Sequence, residues 1–301
     1  MKKLKLGVIG MSDGNGHPYS WSAIFNGFNS EYMKDCPFSV IPDYLGKEKY
    51  PENFLGHLAQ VTHLWTQDLE ISNHIAKASN IPNVVDYIEE MIGQVDAVLL
   101  ARDDAENHFK YAYPFLKEGL PIFIDKPFAL KTEDAEELWN FMKYENQIFT
   151  CSALQFAEEF QKDKLATKLI GEVRAVWATI PKSWDKYAVH LIEPVLNLLP
   201  DRGELITVLP LLIKTDQIKG VQVEWSSGII AQFQTTGSLP APLTIRIQGN
   251  KGYQDLHFQN SFFAFRESLK RFIEVVNGSK PNIPRAFTRE MVEILEGIDN
   301  A

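Results

Sequence analysis

The first half of the chain is punctuated by apolar runs of strand length. These are Leu4–Gly10, Ala59–Thr66 (AQVTHLWT), Asp96–Ala101 (DAVLLA), Pro121–Asp125 (PIFID) and Gln147–Cys151 (QIFTC). A run that is apolar on both sides of its backbone must be covered on both faces, and the segments between these runs read as helices. Asp103 and Glu106 form a capping-box pair ahead of a helix over 107–118 that Gly119 closes. Thr132, followed by Glu133 and Asp134, opens a helix carrying Leu138, Phe141 and Met142. Strands and helices alternating in this way build a parallel, doubly wound sheet. Between about residues 26 and 56, Pro37, Pro42, Gly46 and Pro51 mark an inserted, partly irregular segment longer than an ordinary connection.

After about residue 150 the pattern changes. Gly171–Ile180 reads as a strand. Val221, Val223 and Trp225 alternate with Gln222 and Glu224, Ser226-Ser227-Gly228 makes a turn, and Ile229, Ala231 and Phe233 continue beyond it. Leu243, Ile245 and Ile247 alternate with Thr244 and Arg246. Period-2 alternation describes an antiparallel sheet with one covered and one polar face. A helix follows with Phe262, Phe265, Leu269, Phe272 and Val276 on one side and Asn277-Gly278 as its stop, then a last helix over about 288–298. The expected architecture is α/β: an N-terminal Rossmann-type doubly wound parallel sheet over 1–127, and a C-terminal α+β domain with an open antiparallel sheet over 128–301.

The 301 residues carry 30 Lys and Arg against 39 Asp and Glu, a net charge of −9. That balance argues against general affinity for nucleic acid or anionic membrane, both of which need a basic face. Cys36 and Cys151 are too few and too isolated for a disulfide framework or a thiolate metal site, and His57 and His63 have no second pair to complete one. The opening MKKLKLGVIGM imitates a signal segment, but its apolar stretch stops within a few residues at Asp13, so a first strand in a cytoplasmic protein is expected.

A strand that runs through a glycine turn into a helix is the context in which backbone N–H groups receive a pyrophosphate. Here the turn reads Gly7-Val-Ile-Gly10-Met-Ser12-Asp13-Gly14-Asn-Gly16-His17-Pro18. Gly10 fits the first glycine of GxGxxG. The next two places fall on Ser12 and Asn15, with Gly14 and Gly16 lengthening the loop, and a tight Asp-Gly-Asn-Gly turn without a ligand is the competing reading. Asp13 would repel a pyrophosphate unless turned away. The acid that reads the ribose should close the second strand, and Asp68 in Thr66-Gln67-Asp68 is the acidic candidate. No Arg or Lys adjoins it, which favours NAD without excluding NADP.

Asp125-Lys126-Pro127 stands at the carboxyl end of an apolar run, where open α/β sheets place their ligands. With DAVLLARDDAENH before it, KYAVHLIEPVLNLL after it, GEVRAVWATI and the closing FRESLKRFIEVVNGSKPNIPRAFTREMVEIL, it resembles the glucose–fructose oxidoreductase/inositol dehydrogenase/MocA family over nearly the whole chain. The resemblance implies that Lys126 lies beside the nicotinamide and the reacting carbinol, that Asp125 is a shortened form of the family's glutamate, and that Lys126–Pro127 is cis. It implies that His190 matches the family's histidine, with the aspartate usually four residues earlier displaced to Asp185. It puts cofactor contacts at Ala101 and His108, and it sets Gln155 where an arginine commonly stands. Two departures are Arg102-Asp103-Asp104, charged where the family has a Pro-rich turn, and Lys186 in the usual aspartate position.

A lysine suits such a site because its ammonium hydrogen-bonds a substrate oxygen and stabilises charge there. Glu193, three residues after His190, is placed to orient the imidazole, and Pro194 requires the helix to begin near by. Trp184 and Tyr187 are candidates for stacking on a sugar ring. The reading is hydride transfer between NAD(P) and a secondary alcohol of a sugar, polyol or derivative, in a homo-oligomer formed through the polar sheet face of Gln222, Glu224, Gln232, Gln234 and Arg246. Two alternatives stand beside it: a nucleotide-binding regulator without catalysis, and an NAD-dependent glycosidase.

Overall fold

The computed structural model describes residues 3–213, 215 and 217–299. The chain forms two compact units, each drawn from three separate segments. The first takes residues up to 128, 136–150 and 265–283; the second takes 129–135, 151–264 and the chain from 284 onward. Both units are thus interleaved along the chain, a division that a single cut at 127/128 does not describe.

The first unit is built on a six-stranded sheet: β1 (Leu4–Ile9), β2 (Ala59–Trp65), β3 (Asn83–Val84), β4 (Ala97–Leu100), β5 (Ile122–Ile124) and β6 (Ile148–Thr150). All pairs are parallel and the order is β3-β2-β1-β4-β5-β6. The order reverses between β1 and β4, which is the switch point where such sheets bind ligands. β4, β5 and β6 are buried throughout, as a sheet covered on both faces requires. Part of that cover comes from far along the chain. Phe272, on the helix Ser261–Val276, packs its ring 5.6 Å from Phe123 and 5.8 Å from Phe149.

The irregular segment after residue 26 folds as two short helices, Ser30–Met33 and Val40–Leu45. The helix His108–Glu118 ends at Gly119 in the left-handed region, as expected, but the capping box does not form. Its start is a 3-10 turn, Ala105–Asn107, and the Asp103 carboxylate points into the strand-end cluster described below.

The second unit carries β7 (Val173–Ile180), β8 (Leu205–Pro210), β9 (Lys219–Trp225), β10 (Ile230–Thr235), β11 (Thr244–Gly249) and β12 (Tyr253–His257) in the order β12-β11-β7-β10-β9-β8. The sheet is open, and its alternation is as the sequence predicts, with Val221, Val223, Trp225, Ala231, Phe233, Ile245 and Ile247 buried. It is mixed rather than wholly antiparallel, because β7 and β10 pair in parallel at its centre. The helix Val189–Leu198 contains Pro194. The last helix is Arg285–Glu296.

Candidate active site

In the first unit, the carboxyl ends of β1, β2, β4 and β5 are tied together by side chains of the loops that follow them. The loop after β1 is held at both ends. Near its start, Ser12 Oγ donates to Asp103 Oδ1 at 2.6 Å and accepts the Asp103 N–H at 3.0 Å. Near its finish, Asp125 Oδ2 accepts from Asn15 Nδ2 at 2.9 Å and meets His17 Nδ1 at 2.5 Å. The other oxygen of Asp125 accepts the Lys126 N–H at 2.7 Å. Asp125 is therefore the anchor of the glycine loop, and the ammonium beside it turns to a different acid: Lys126 Nζ lies 3.4 Å from Asp103 Oδ2. The Lys126–Pro127 bond is cis.

Each glycine of the turn has its own physical reason. A Cβ on Gly7 would meet Met91 Sδ at 2.6 Å, and one on Gly10 would meet Pro18 Cγ at 2.3 Å, so both serve packing inside the unit. A Cβ on Gly16 would meet Ile41 Cδ1 at 2.5 Å and Phe38 at 2.7 Å, so the inserted segment braces the loop from outside. Gly14 has φ +75° and open space around it. The amides of Gly14 and Gly16 donate to no acceptor among the described residues, and they stand at the start of the ten-residue helix His17–Asn26. Unpaired donors at a helix N-terminus suit a pyrophosphate, so the loop fits a dinucleotide. Asp13 is exposed.

The ribose end differs from the sequence reading. Asp68 caps the helix Leu69–Ala78, accepting the N–H groups of Glu70 at 2.8 Å and Ile71 at 3.0 Å. Its neighbour Gln67 instead reaches the loop, exchanging hydrogen bonds with the Met11 backbone at 3.0 and 2.6 Å. No cation adjoins Gln67 in sequence, yet the fold supplies one: Arg102 Nη1 donates to Gln67 Oε1 at 3.1 Å and to Met11 O at 3.2 Å. Arg102 also grips Asp104 through two hydrogen bonds and lies 4.6 Å over the Tyr111 ring. Burial pushes the Asp104 carboxyl up, but the Arg102 hydrogen bonds and charge outweigh it and hold the group below the ordinary carboxylate range.

Ala101 is fully buried, its N–H bonded to Ile9 O at 2.8 Å across the switch point. His108 is fully buried too, with Nε2 2.8 Å from Arg102 O and Nδ1 3.0 Å from Phe128 O. It staples two loops together through both of its ring nitrogens.

In the second unit the candidates lie on the helix Val189–Leu198, the short helix Trp184–Tyr187 before it, and the turn Ala153–Phe156. His190 is buried, and its Nδ1 lies 2.7 Å from Ser152 Oγ, a partner that sequence spacing gives no hint of. Tyr187 meets the imidazole edge-on with centroids 5.7 Å apart, and its hydroxyl accepts from Lys182 Nζ at 2.6 Å. Asp185, expected behind the histidine, is exposed in the short helix Trp184–Tyr187. Glu193 does not orient the ring; its Oε2 accepts the Ser152 N–H at 2.7 Å. Burial pushes its carboxyl up to about 8, against the lowering effect of that hydrogen bond. Trp184 is 2% exposed and donates Nε1–H to Leu295 O at 2.9 Å, so it is a core residue and not a stacking platform. Gln155 is buried in the 3-10 turn Ala153–Phe156, and its Oε1 has no donor among the described residues.

Residues 41–152 match the sequence model of a family described as "Oxidoreductase family, NAD-binding Rossmann fold". No curated protein matches the chain. Similar solved structures include myo-inositol 2-dehydrogenase from Lactobacillus plantarum, at 14% identity and a TM-score of 0.72, with 99% of this chain and 97% of that one covered. UDP-N-acetylglucosamine 3-dehydrogenase from Acidithiobacillus ferrooxidans is 14% identical with a TM-score of 0.70, over 98% of this chain and 96% of that one. Biliverdin reductase from Synechocystis sp. PCC 6803, solved with biliverdin and NADP+, is 12% identical with a TM-score of 0.71, over 99% and 98%. At these identities the likeness establishes the fold.

Proposed function

Because residues 41–152 match the sequence model of the GFO/IDH/MocA oxidoreductase family, an NAD-binding Rossmann fold, we propose that the protein is an NAD(P)-dependent oxidoreductase. Its substrate on this reading is a secondary alcohol, or the matching ketone, of a sugar, polyol or sugar derivative. The observation that carries the reading is the buried Lys126 at the end of β5, next to the switch point. A bound nicotinamide supplies the hydride chemistry. The residues of this chain supply the rest: the Gly14 and Gly16 amides hold the pyrophosphate, Gln67 and Arg102 face the ribose, and the Lys126 ammonium hydrogen-bonds the substrate oxygen and stabilises charge there. In the second unit, His190 is the substrate-facing imidazole, with Gln155 and Tyr187 as further polar contacts.

The test is a titration with NAD+ and NADPH, followed by a turnover screen over inositols, aldoses and nucleotide sugars. Saturable binding with turnover of at least one polyol or sugar supports the proposal. Binding with no turnover of any of them favours a second reading, a nucleotide-binding protein without catalysis, which the charged Arg102-Asp103-Asp104 turn supports.

A homo-oligomer packed through the polar face of the second sheet is also proposed. Trp177 and Tyr253 are exposed on the strands of that sheet, with the Arg246–Asp255 ion pair between β11 and β12. Light scattering that finds a monomer at every concentration rejects it. No helix among the described residues is long and apolar enough to cross a membrane.

A further inference from the structure

Three strand ends meet at one guanidinium. Arg102, which follows β4, donates from Nη1 to Met11 O in the loop after β1 at 3.2 Å, and to Gln67 Oε1 at the end of β2 at 3.1 Å. Its other two nitrogens go to Asp104: Nε to Oδ1 at 2.9 Å and Nη2 to Oδ2 at 2.6 Å. Asp104 is fixed in turn by Asn107 Nδ2, which donates to Oδ2 at 2.7 Å. The Tyr111 ring lies 4.6 Å from the guanidinium and covers one of its faces.

Gln67 is exposed, and it stands where a Rossmann sheet tells the two nicotinamide dinucleotides apart. There a carboxylate takes the ribose 2′-hydroxyl of NAD, or an arginine takes the 2′-phosphate of NADP. No Lys or Arg adjoins Gln67 in sequence, yet the fold brings a cation within one hydrogen bond of it. By position alone Arg102 would favour NADP. Its partner decides otherwise. The side chains of Arg102 and Asp104 are 8% and 13% exposed, so salt screens the pair little. The bidentate contact occupies the edge of the guanidinium that would clasp a phosphate, and the carboxylate cancels its charge. Burial raises the Asp104 carboxyl, but the Arg102 hydrogen bonds and charge outweigh it, so the acid stays ionised at neutral pH. Asp68 adds a second carboxylate next to Gln67, and its helix cap uses Oδ1 alone. One guanidinium against two carboxylates leaves the end of β2 negative, which disfavours a dianionic 2′-phosphate.

We propose that Asp104 is a positioning residue that sets the chain for NAD over NADP. By engaging Arg102, it withholds from a 2′-phosphate the cation that the fold brings to the end of β2. The proposal rests on the reading of the loop after β1 as a dinucleotide site.

Calorimetric titration of the full chain with NAD+ and with NADP+ reads the ratio of the two affinities. The native protein is expected to bind NAD+ tighter by about tenfold or more. Asp104→Asn removes the charge and opens the guanidinium edge, and it should move the ratio toward NADP+ by about tenfold or more. Asp104→Glu keeps the carboxylate and should keep the native ratio. Adding Arg102→Gln to Asp104→Asn should cancel the shift. A merely structural role for Asp104 would weaken both cofactors together and leave the ratio unmoved. A native preference for NADP+, an unmoved ratio in Asp104→Asn, or a shift that survives the loss of Arg102 overturns the proposal. Should Asp104→Asn not fold, the native ratio decides alone. Binding of neither dinucleotide overturns the dinucleotide reading and the proposal with it, whereas binding in the wrong ratio overturns only the selectivity.

Discussion

Lys126 Nζ stands 3.4 Å from Asp103 Oδ2, and both side chains are 6% exposed. The ends of β5 and β4 are joined by a buried ion pair whose acid also holds the glycine loop through Ser12. An ammonium held in place in this way is positioned to donate to a substrate oxygen. Lys126→Ala is expected to lower turnover by about 10²-fold or more. It also takes the ammonium away from a buried carboxylate, which costs about 3 kcal/mol of stability. The double variant Lys126→Met/Asp103→Asn should recover most of that stability and none of the activity. Urea unfolding and steady-state kinetics on the two variants check both halves, and near-native activity in either removes Lys126 from the chemistry.

Glu193 makes stability depend on pH. Its carboxyl is raised from 4.5 to about 8 by burial, so the folded state favours the protonated form. The stabilising contribution is complete below 4.5 and is lost as pH rises from there through about 8. Across that window stability should fall by up to about 1.4 kcal/mol per pH unit from this group. Unfolding at pH 5, 6.5 and 8 should show the slope in the native protein and a flatter one in Glu193→Gln. Equal slopes in the two would discard the assignment.

Glu290 accepts from Arg202 Nε at 2.8 Å, Arg202 Nη2 at 2.5 Å and Trp225 Nε1 at 2.6 Å, while Arg202 Nη1 binds the carbonyls of Leu196 and Leu199. This network ties β9, the last helix and the end of the helix Val189–Leu198. Glu290→Ala leaves a largely buried guanidinium without its carboxylate and an indole N–H unpaired, a loss of about 3 kcal/mol. A loss under about 1 kcal/mol by chemical denaturation would show the pair behaving as an exposed one.

Gly16 and Gly14 should respond differently to a methyl group. Gly16→Ala pushes Cβ into Ile41 and Phe38, so the loop must shift and nucleotide affinity should drop at least tenfold, a loss of about 1.4 kcal/mol. Gly14→Ala meets no atoms but forces a side chain into the left-handed region, at about 1 kcal/mol of stability. Calorimetric titration separates the two, and equal nucleotide affinities in both variants would contradict the bracing role given to the inserted segment.

Much of this architecture is legible in the sequence because it rests on local pattern. The apolar runs give the parallel strands, and the alternation around Val221–Phe233 gives the open sheet. What the sequence hides is long-range. Phe272 covers a sheet whose strands end more than a hundred residues earlier, Arg102 comes to Gln67 through the packing of β4 between β1 and β5, and Ser152 reaches His190 across a turn of backbone that no spacing rule connects. Asp68, Asp125 and Trp184 are correct residue types in suggestive places. Their atoms turn out to be engaged by a helix cap, a loop anchor and a core contact, each of which depends on the orientation of a side chain.

The central claim is that the loop after β1 presents its free amides to a dinucleotide whose reactive end reaches Lys126. Titration of the native chain with NAD+ and with NADP+, followed by intrinsic fluorescence and calorimetry, tests it most directly. The account predicts saturable one-to-one binding of at least one of them, weakened at least tenfold by Gly16→Ala. Failure of both to bind at millimolar concentration, in a protein that folds normally, would contradict it.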